Sequence, residues 1–173
     1  RIMGDDAAGW YSTPRYLLSV LIAFFYTISF AIFPTFSKFY GLSEELLKHA
    51  YKTTFKYLLI ITMPIPFILY VLSDKVILLI FTNEFINSIF IFKILIWLLI
   101  PITLARFLEV ILSSIDKQEI VTYALGICAL LNIVLDLALI PNFGYIGAII
   151  ATVIAQSGVL LIDIYFVSKY LYK

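Results

Sequence analysis

Cysteine and histidine each occur once in the 173 residues, and charged side chains make up only 13%. With Cys128 alone, an intrachain disulfide framework and a cysteine-based metal cluster are both excluded. His49 sits in a polar stretch, where an imidazole is ordinarily solvated, and no metal or catalytic role is assigned to it. A net charge of +1 offers no basic surface for nucleic acid. A secretory signal peptide is also missing, and the chain opens on Arg1, so it is expected to be a piece of a longer membrane protein.

Apolar length takes the place of charge. The chain is 63% hydrophobic, with a mean hydropathy of +1.06. A soluble domain has about twice this charged fraction and about half its residues apolar. Crossing a lipid core takes ~20 residues at ~1.5 Å rise each. Runs of that order fall at residues 16–39, 55–72, 89–114, 120–140 and 145–171. The expected fold class is therefore all-α, a polytopic transmembrane helix bundle of about five spans.

The connections carry their own signals. Ser43 is placed to cap a helix whose first turn holds Glu44 and Glu45, where the helix dipole favours anions. Residues 43–54 thus read as an amphipathic helix lying on the membrane surface. Residues 76–81 are too short to span and read as an interfacial or re-entrant segment. Pro34, Pro64, Pro66 and Pro101 are each expected to kink their spans. Pro141 and Gly144 mark the corner of a hairpin formed by the last two.

Polar side chains recur on single faces of these spans. Arg15 and Ser19 share a face of the first, where Arg15 either snorkels to the interface or faces a polar space. In the third, Thr103, Arg106, Glu109 and Ser113 form a stripe opposite Leu104, Phe107, Leu108 and Ile111. A charge near mid-helix costs about 2.5–3.5 kcal/mol on insertion scales. Either Arg106 and Glu109 neutralise each other locally, or their stripe borders a water-lined cavity. Asn132 and Asp136 share a face of the fourth span, as packing glue between helices or as cavity wall. Thr152, Gln156 and Asp163 run beside a small-residue face of Gly147, Ala151, Ala155 and Gly158 on the fifth.

Five crossings place the termini on opposite sides. Lys38, Lys48, Lys52, Lys56, Lys117, Lys169 and Lys173 gather at one end, against Arg1, Arg15, Lys75 and Lys93 at the other. The positive-inside bias makes the first end cytoplasmic, with the N-terminus outside and the C-terminus inside.

Three stretches resemble a known family: GWYSTPRYLLSVL at residues 9–21, AIFPTFSKFYG at residues 31–41, and LLNIVLDLALIPNFGYIGAIIATVIAQ at residues 130–156. They are similar to polysaccharide-biosynthesis flippases, the Wzx-like branch of the superfamily that also holds the MATE-like drug exporters and the lipid II flippases. The most specific pattern is Leu139-Ile140-Pro141, Gly144, Gly147-Ala148 and Ala151-Thr152.

The resemblance implies that residues 1–173 are most of the C-terminal lobe of a two-lobed transporter in the cell membrane. A missing N-terminal lobe would complete the cavity. It implies export of a lipid-linked oligosaccharide by alternating access, with membrane lipid and the lipid-linked saccharide as partners and no cofactor. Arg106 and Arg15 would suit a pyrophosphate, with Glu109, Asn132 and Gln156 as further cavity residues. Asp136 and Asp163 would be the candidates for H+ or Na+ coupling. A multidrug or small-solute antiporter of the same superfamily is the alternative. A membrane-embedded glycan-processing enzyme is set aside, because the Asp-Asp pair, Asp5-Asp6, stands alone and at the edge of the chain.

Overall fold

The computed structural model describes residues 5–81 and 83–172. Arg1 and Lys173, used in the charge comparison, lie outside the described residues, as do the side chains of Asp5 and Asp6. The described residues fold into nine α-helices: α1 (Asp5–Ala31), α2 (Phe33–Leu42), α3 (Glu44–Thr62), α4 (Pro64–Val71), α5 (Ser73–Ile80), α6 (Ser88–Leu95), α7 (Leu99–Ser114), α8 (Gln118–Phe143) and α9 (Tyr145–Leu171). Joined end to end where the breaks are slight, they make five helical rods long and apolar enough to cross a membrane. The fold is an all-α helix bundle with five candidate spans, as the apolar runs require.

The breaks within rods follow proline. Ile32 separates α1 from α2, with Pro34 in the first turn of α2, and Met63 separates α3 from α4, with Pro64 and Pro66 opening α4. A first-turn proline is tolerated because its missing N–H would be unpaired there anyway. Pro101 behaves in the same way. It lies in the first turn of α7, and the irregularity is the 3₁₀ turn Ile96–Leu98 just before it. The carbonyl left without its helical donor is that of Trp97, four residues back. Pro141 instead stays inside α8, which runs on to Phe143, and the hairpin corner is Gly144 alone.

The polar connection differs from its reading as a separate surface helix. The Ser43 hydroxyl accepts from the Leu46 amide at 3.5 Å, and Lys48 pairs with Glu44 at 3.3 Å. That cap opens a helix that continues without interruption to Thr62. Residues 43–54 and the start of the second apolar run therefore belong to one rod. The short segment after it is α5, anchored by fully buried Ser73 and Ile77.

The core forms around α7. It packs against α1, α2, α3, α8 and α9, and Leu99, Phe107, Leu108, Ile111 and Leu112 have no exposed surface. Phe107 meets the rings of Phe36, Tyr51 and Phe55 at centroid distances of 6.1, 6.0 and 6.2 Å. Thr103 and Glu109 of the polar stripe are buried along with the apolar side of this rod, and its most apolar 18-residue stretch is 61% buried against 11% for that of α8. The outer face of α8, with Tyr123, Leu130, Val134 and Leu137 exposed, is the kind of surface that lipid covers.

The ends of the rods group as alternate crossings demand. Lys52 stands over the Tyr172 ring at 5.6 Å and Lys117 over Tyr170 at 5.1 Å, which joins α3, the α7–α8 turn and the end of α9 at one rim. At the other rim the Trp10 indole donates to the Glu84 carbonyl at 3.3 Å, and Lys93 bonds Asp74 at 3.0 Å.

Gly144 turns the final hairpin with φ 58° and ψ −137°, a conformation that side chains disfavour. Gly144→Ala is expected to destabilise by about 1–3 kcal/mol. A lower thermal unfolding midpoint of the full-length protein in detergent, relative to wild type, is the corresponding measurement.

Candidate functional site

Two cavities of about 200 and 210 Å³ lie on the inner faces of α1, α7, α8 and α9. Arg15, Thr152 and Gln156 line both, so the cavities adjoin. The first also has Cys128, Ala129 and Asn132 in its wall, and the second has Tyr11, Ser19 and Arg106.

Helix geometry sets the depth of each group. Asn132 and Gln156 are equally far from Gly144 along the two arms of the hairpin. At a rise of ~1.5 Å per residue both sit ~18 Å from the corner. Asp136 and Thr152 are likewise level with each other, ~12 Å from it. Arg15 and Asp136 lie within electrostatic reach of one another, at the tier nearer Gly144. Thr152 does not offer its hydroxyl proton to the cavity, because it donates to the Ala148 carbonyl at 2.8 Å. Gln156 has no such local bond to occupy its amide among the described residues, and it lines both cavities.

Arg106 closes the deeper end. Its Nη1 donates to Glu109 Oε2 at 2.8 Å, with the arginine side chain one-third exposed toward the cavity and the glutamate 8% exposed. The i,i+3 spacing on α7 makes this pair local, in keeping with the wheel reading. Asp163 of α9 has no exposed surface and lies within electrostatic reach of both Glu109 and Arg106. Both carboxylate oxygens of Asp163 and Oε1 of Glu109 are buried without a hydrogen-bond partner among the described residues. One guanidinium thus stands near two buried carboxylates, bonded to Glu109 alone among the described residues.

The structure brings Arg15, Arg106, Asn132 and Gln156 together on cavity walls, with Glu109 behind Arg106. Asp136 is half-buried beside them, with Oδ1 unpartnered among the described residues. Asp163, one heptad beyond Gln156 on the same face of α9, lies near Glu109 and Arg106 of α7. Among the wall residues not singled out by sequence, two carry polar side-chain atoms, Tyr11 and Cys128. Cys128 stands four residues before Asn132, on the same helical face, and that spacing is the signal that could have found it. His49 is exposed at the lysine-rich rim.

Close packing of the hairpin holds these walls in register. A Cβ on Gly147 would come within 2.7 Å of the Leu139 carbonyl carbon and oxygen, and one on Gly158 within 3.2 Å of Cys128 Sγ. Ala151 and Ala155 are buried on the same stripe. The small face is thus a packing surface between α8 and α9, beside the polar line and distinct from it.

Comparison with known proteins agrees with this architecture. An uncharacterized membrane protein of Methanocaldococcus jannaschii is 26% identical over 155 residues, which cover 89% of this chain and 31% of the relative. The chain thus spans about a third of the length of that relative. No solved structure matches. The family model for polysaccharide biosynthesis proteins matches residues 1–90, more than half of the chain, ending before the α8–α9 hairpin. A multi-pass bundle with that match is assigned accordingly: the chain belongs to the polysaccharide biosynthesis protein family.

Proposed function

We propose that the protein carrying this chain exports a lipid-linked oligosaccharide or polysaccharide precursor, flipping it from the inner to the outer leaflet by alternating access. The observation that carries the proposal is the placement of Arg15 and Arg106 on the wall of one cavity inside an apolar bundle. Guanidinium groups pair in a fork with phosphate oxygens, so two of them suit a diphosphate headgroup. Asn132 and Gln156 offer amides to sugar hydroxyls at the same level. The prenyl tail needs no protein cavity, since it can remain in lipid against exposed faces such as that of α8.

In this reading the chain is most of the C-terminal lobe of a MATE-like, Wzx-like flippase. A further lobe of the same polypeptide closes the cavity opposite α1 and α7. The rim bearing Lys38, Lys48, Lys52, Lys56, Lys117 and Lys169 faces the cytoplasm, which leaves the Gly144 corner outside. Asp136 and Asp163 are the candidates for H+ or Na+ coupling.

The test is complementation with the intact gene in a strain lacking its own copy. Surface glycan should return with the wild type, and Arg15→Gln should lower it several-fold at equal membrane abundance. Undiminished glycan with Arg15→Gln removes Arg15 from the path. Drug resistance without glycan export would replace the reading with a small-solute exporter.

A further inference from the structure

Far from the two cavities, the lysine-bearing rim holds a third recess. α3 and α9 both lean on α7, and a cleft of about 30 Å³ opens between them where α7 ends. Tyr40, Glu44, Leu47 and Lys48 form one side, Tyr170 and Leu171 the other, with Ile115 between. The space admits one group the size of a water or a phosphate oxygen. No residue lines both this cleft and either cavity. Along α9, Tyr170 stands ~21 Å from Gln156, at the opposite end of the rod from Gly144.

Three ammonium groups converge on the last turn of α9. Lys48 shares the cleft with Tyr170, Lys117 stands over the Tyr170 ring at 5.1 Å, and Lys52 over Tyr172 at 5.6 Å. The Lys48 partner is Glu44, whose side chain is 80% exposed and keeps its own hydration. Lys52 and Lys117 have no ion pair among the described residues. An ammonium resting on a ring keeps its full charge for an anion, which a carboxylate partner would have cancelled. Toward the interior of the bundle, Tyr165 and Leu161 recur on the same face of α9 as Tyr172. Both are exposed, at 61% and 67%. Leu161 lies ~17 Å in from Tyr172, about half the thickness of a lipid core.

We propose that this cleft binds an anionic glycerophospholipid of the leaflet its rim faces. The phosphodiester sits on Lys48, Lys52 and Lys117, and one acyl chain follows Tyr165 and Leu161. Charge at the rim and an apolar stripe running to mid-bilayer match the two ends of such a lipid, whereas a soluble phosphate would use only the first. The bound lipid ties α3 to α9, which the bundle otherwise joins chiefly through α7. The site is separate from the cargo path and stands whether or not the cavity takes a diphosphate.

The experiment uses the full-length protein in a neutral detergent. Dioleoyl phosphatidylglycerol is the probe, dioleoyl phosphatidylcholine its zwitterionic match, and native mass spectrometry counts bound lipid. One phosphatidylglycerol should be retained about tenfold more tightly than phosphatidylcholine, since each lysine near an anionic headgroup contributes about fivefold. Lys48→Gln with Lys117→Gln should weaken that binding about 25-fold. Lys38→Gln with Lys56→Gln removes the same charge from the same rim outside the cleft, and should change it by less than about twofold because of screening. Equal retention of the two lipids overturns the proposal. Equal weakening by the two double variants replaces the cleft with general surface attraction. Displacement of the lipid by millimolar glycerol phosphate would make the occupant a soluble anion. If the cleft variant fails to fold, phosphatidylglycerol with a diazirine midway along its chain decides the matter in the wild type. Crosslinks are expected at residues 161–165, and crosslinks confined to other helices overturn the assignment.

Discussion

Replacing Arg106 is expected to abolish export of surface glycan while the protein still reaches the membrane, provided Glu109 is neutralised with it. The proviso follows from the geometry. Glu109 is buried and its Oε2 accepts from Arg106 at 2.8 Å, so Arg106→Ala alone strands a buried carboxylate without its counter-charge. Breaking a buried pair from one side costs about 3–5 kcal/mol, enough to confuse misfolding with lost transport. Arg106→Gln together with Glu109→Gln keeps the volume and an amide on each side, and removes both charges. Export should then drop at least ~30-fold, the equivalent of about 2 kcal/mol of lost headgroup binding. Surface glycan normalised to membrane-inserted protein is the measurement. Normal export by the double variant would exclude Arg106 from the substrate path. Arg106→Lys should fall between, since an ammonium keeps the charge and loses the fork.

The other large effect lies in the hairpin and concerns stability. Gly147→Leu would set a side chain where even a Cβ meets the Leu139 backbone carbonyl at 2.7 Å. A backbone atom cannot move aside as the tip of a side chain can, so the arms must part. Overpacking of this kind costs about 1–3 kcal/mol or more. The parting also shifts Asn132 and Asp136 relative to Gln156 and Thr152. A fall in the thermal midpoint of the purified full-length protein, with export lost in parallel, is the expected outcome. Gly158→Ala is the internal comparison. Its obstacle is the Cys128 sulfur at 3.2 Å, which can yield by a few tenths of an ångström, so its effect should be the smaller. Equal midpoints for Gly147→Leu and wild type would contradict the close approach at Leu139.

The crossings were legible in the sequence because lipid imposes a single length requirement on any apolar helix. The proline breaks at Pro34 and Pro64 were legible too, since a missing N–H acts on the same backbone wherever it stands. The helix from Glu44 to Thr62 was divided at residue 54 because hydropathy changes there. Continuity of a helix is set by its own hydrogen bonds, which are indifferent to that change. The pairing of Arg106 with Glu109 is local and could be read from spacing. Asp163 could not be placed in the same way. A helical wheel gives the direction of a side chain on its own axis and says nothing about which rod stands there. Asp163 shares a face with Gln156 on that wheel, and what the wheel could not supply is that the face meets α7, because the fifth rod leans on α7 as well as on α8. Cys128 was passed over as an isolated thiol, and its place in the cavity wall became visible only when α9 and α1 stood beside it.

The central position of α7 also bears on how the protein is made. Rods enter the bilayer in the order of synthesis, and α7 belongs to the third of the five. Until it arrives, α1, α2 and α3 lack the α7 face they pack against, and Phe36 lacks the Phe107 ring that meets it. Arg15 likewise waits, because the wall opposite it is built from α7, α8 and α9. The first two rods must therefore be held at the insertion machinery, or pair loosely with one another, through the interval in which residues 88–114 are translated. Chains truncated after Val71 should remain open to degradation, whereas chains extended past Ser114 should begin to resist it. Assembly of this bundle is timed by its third rod.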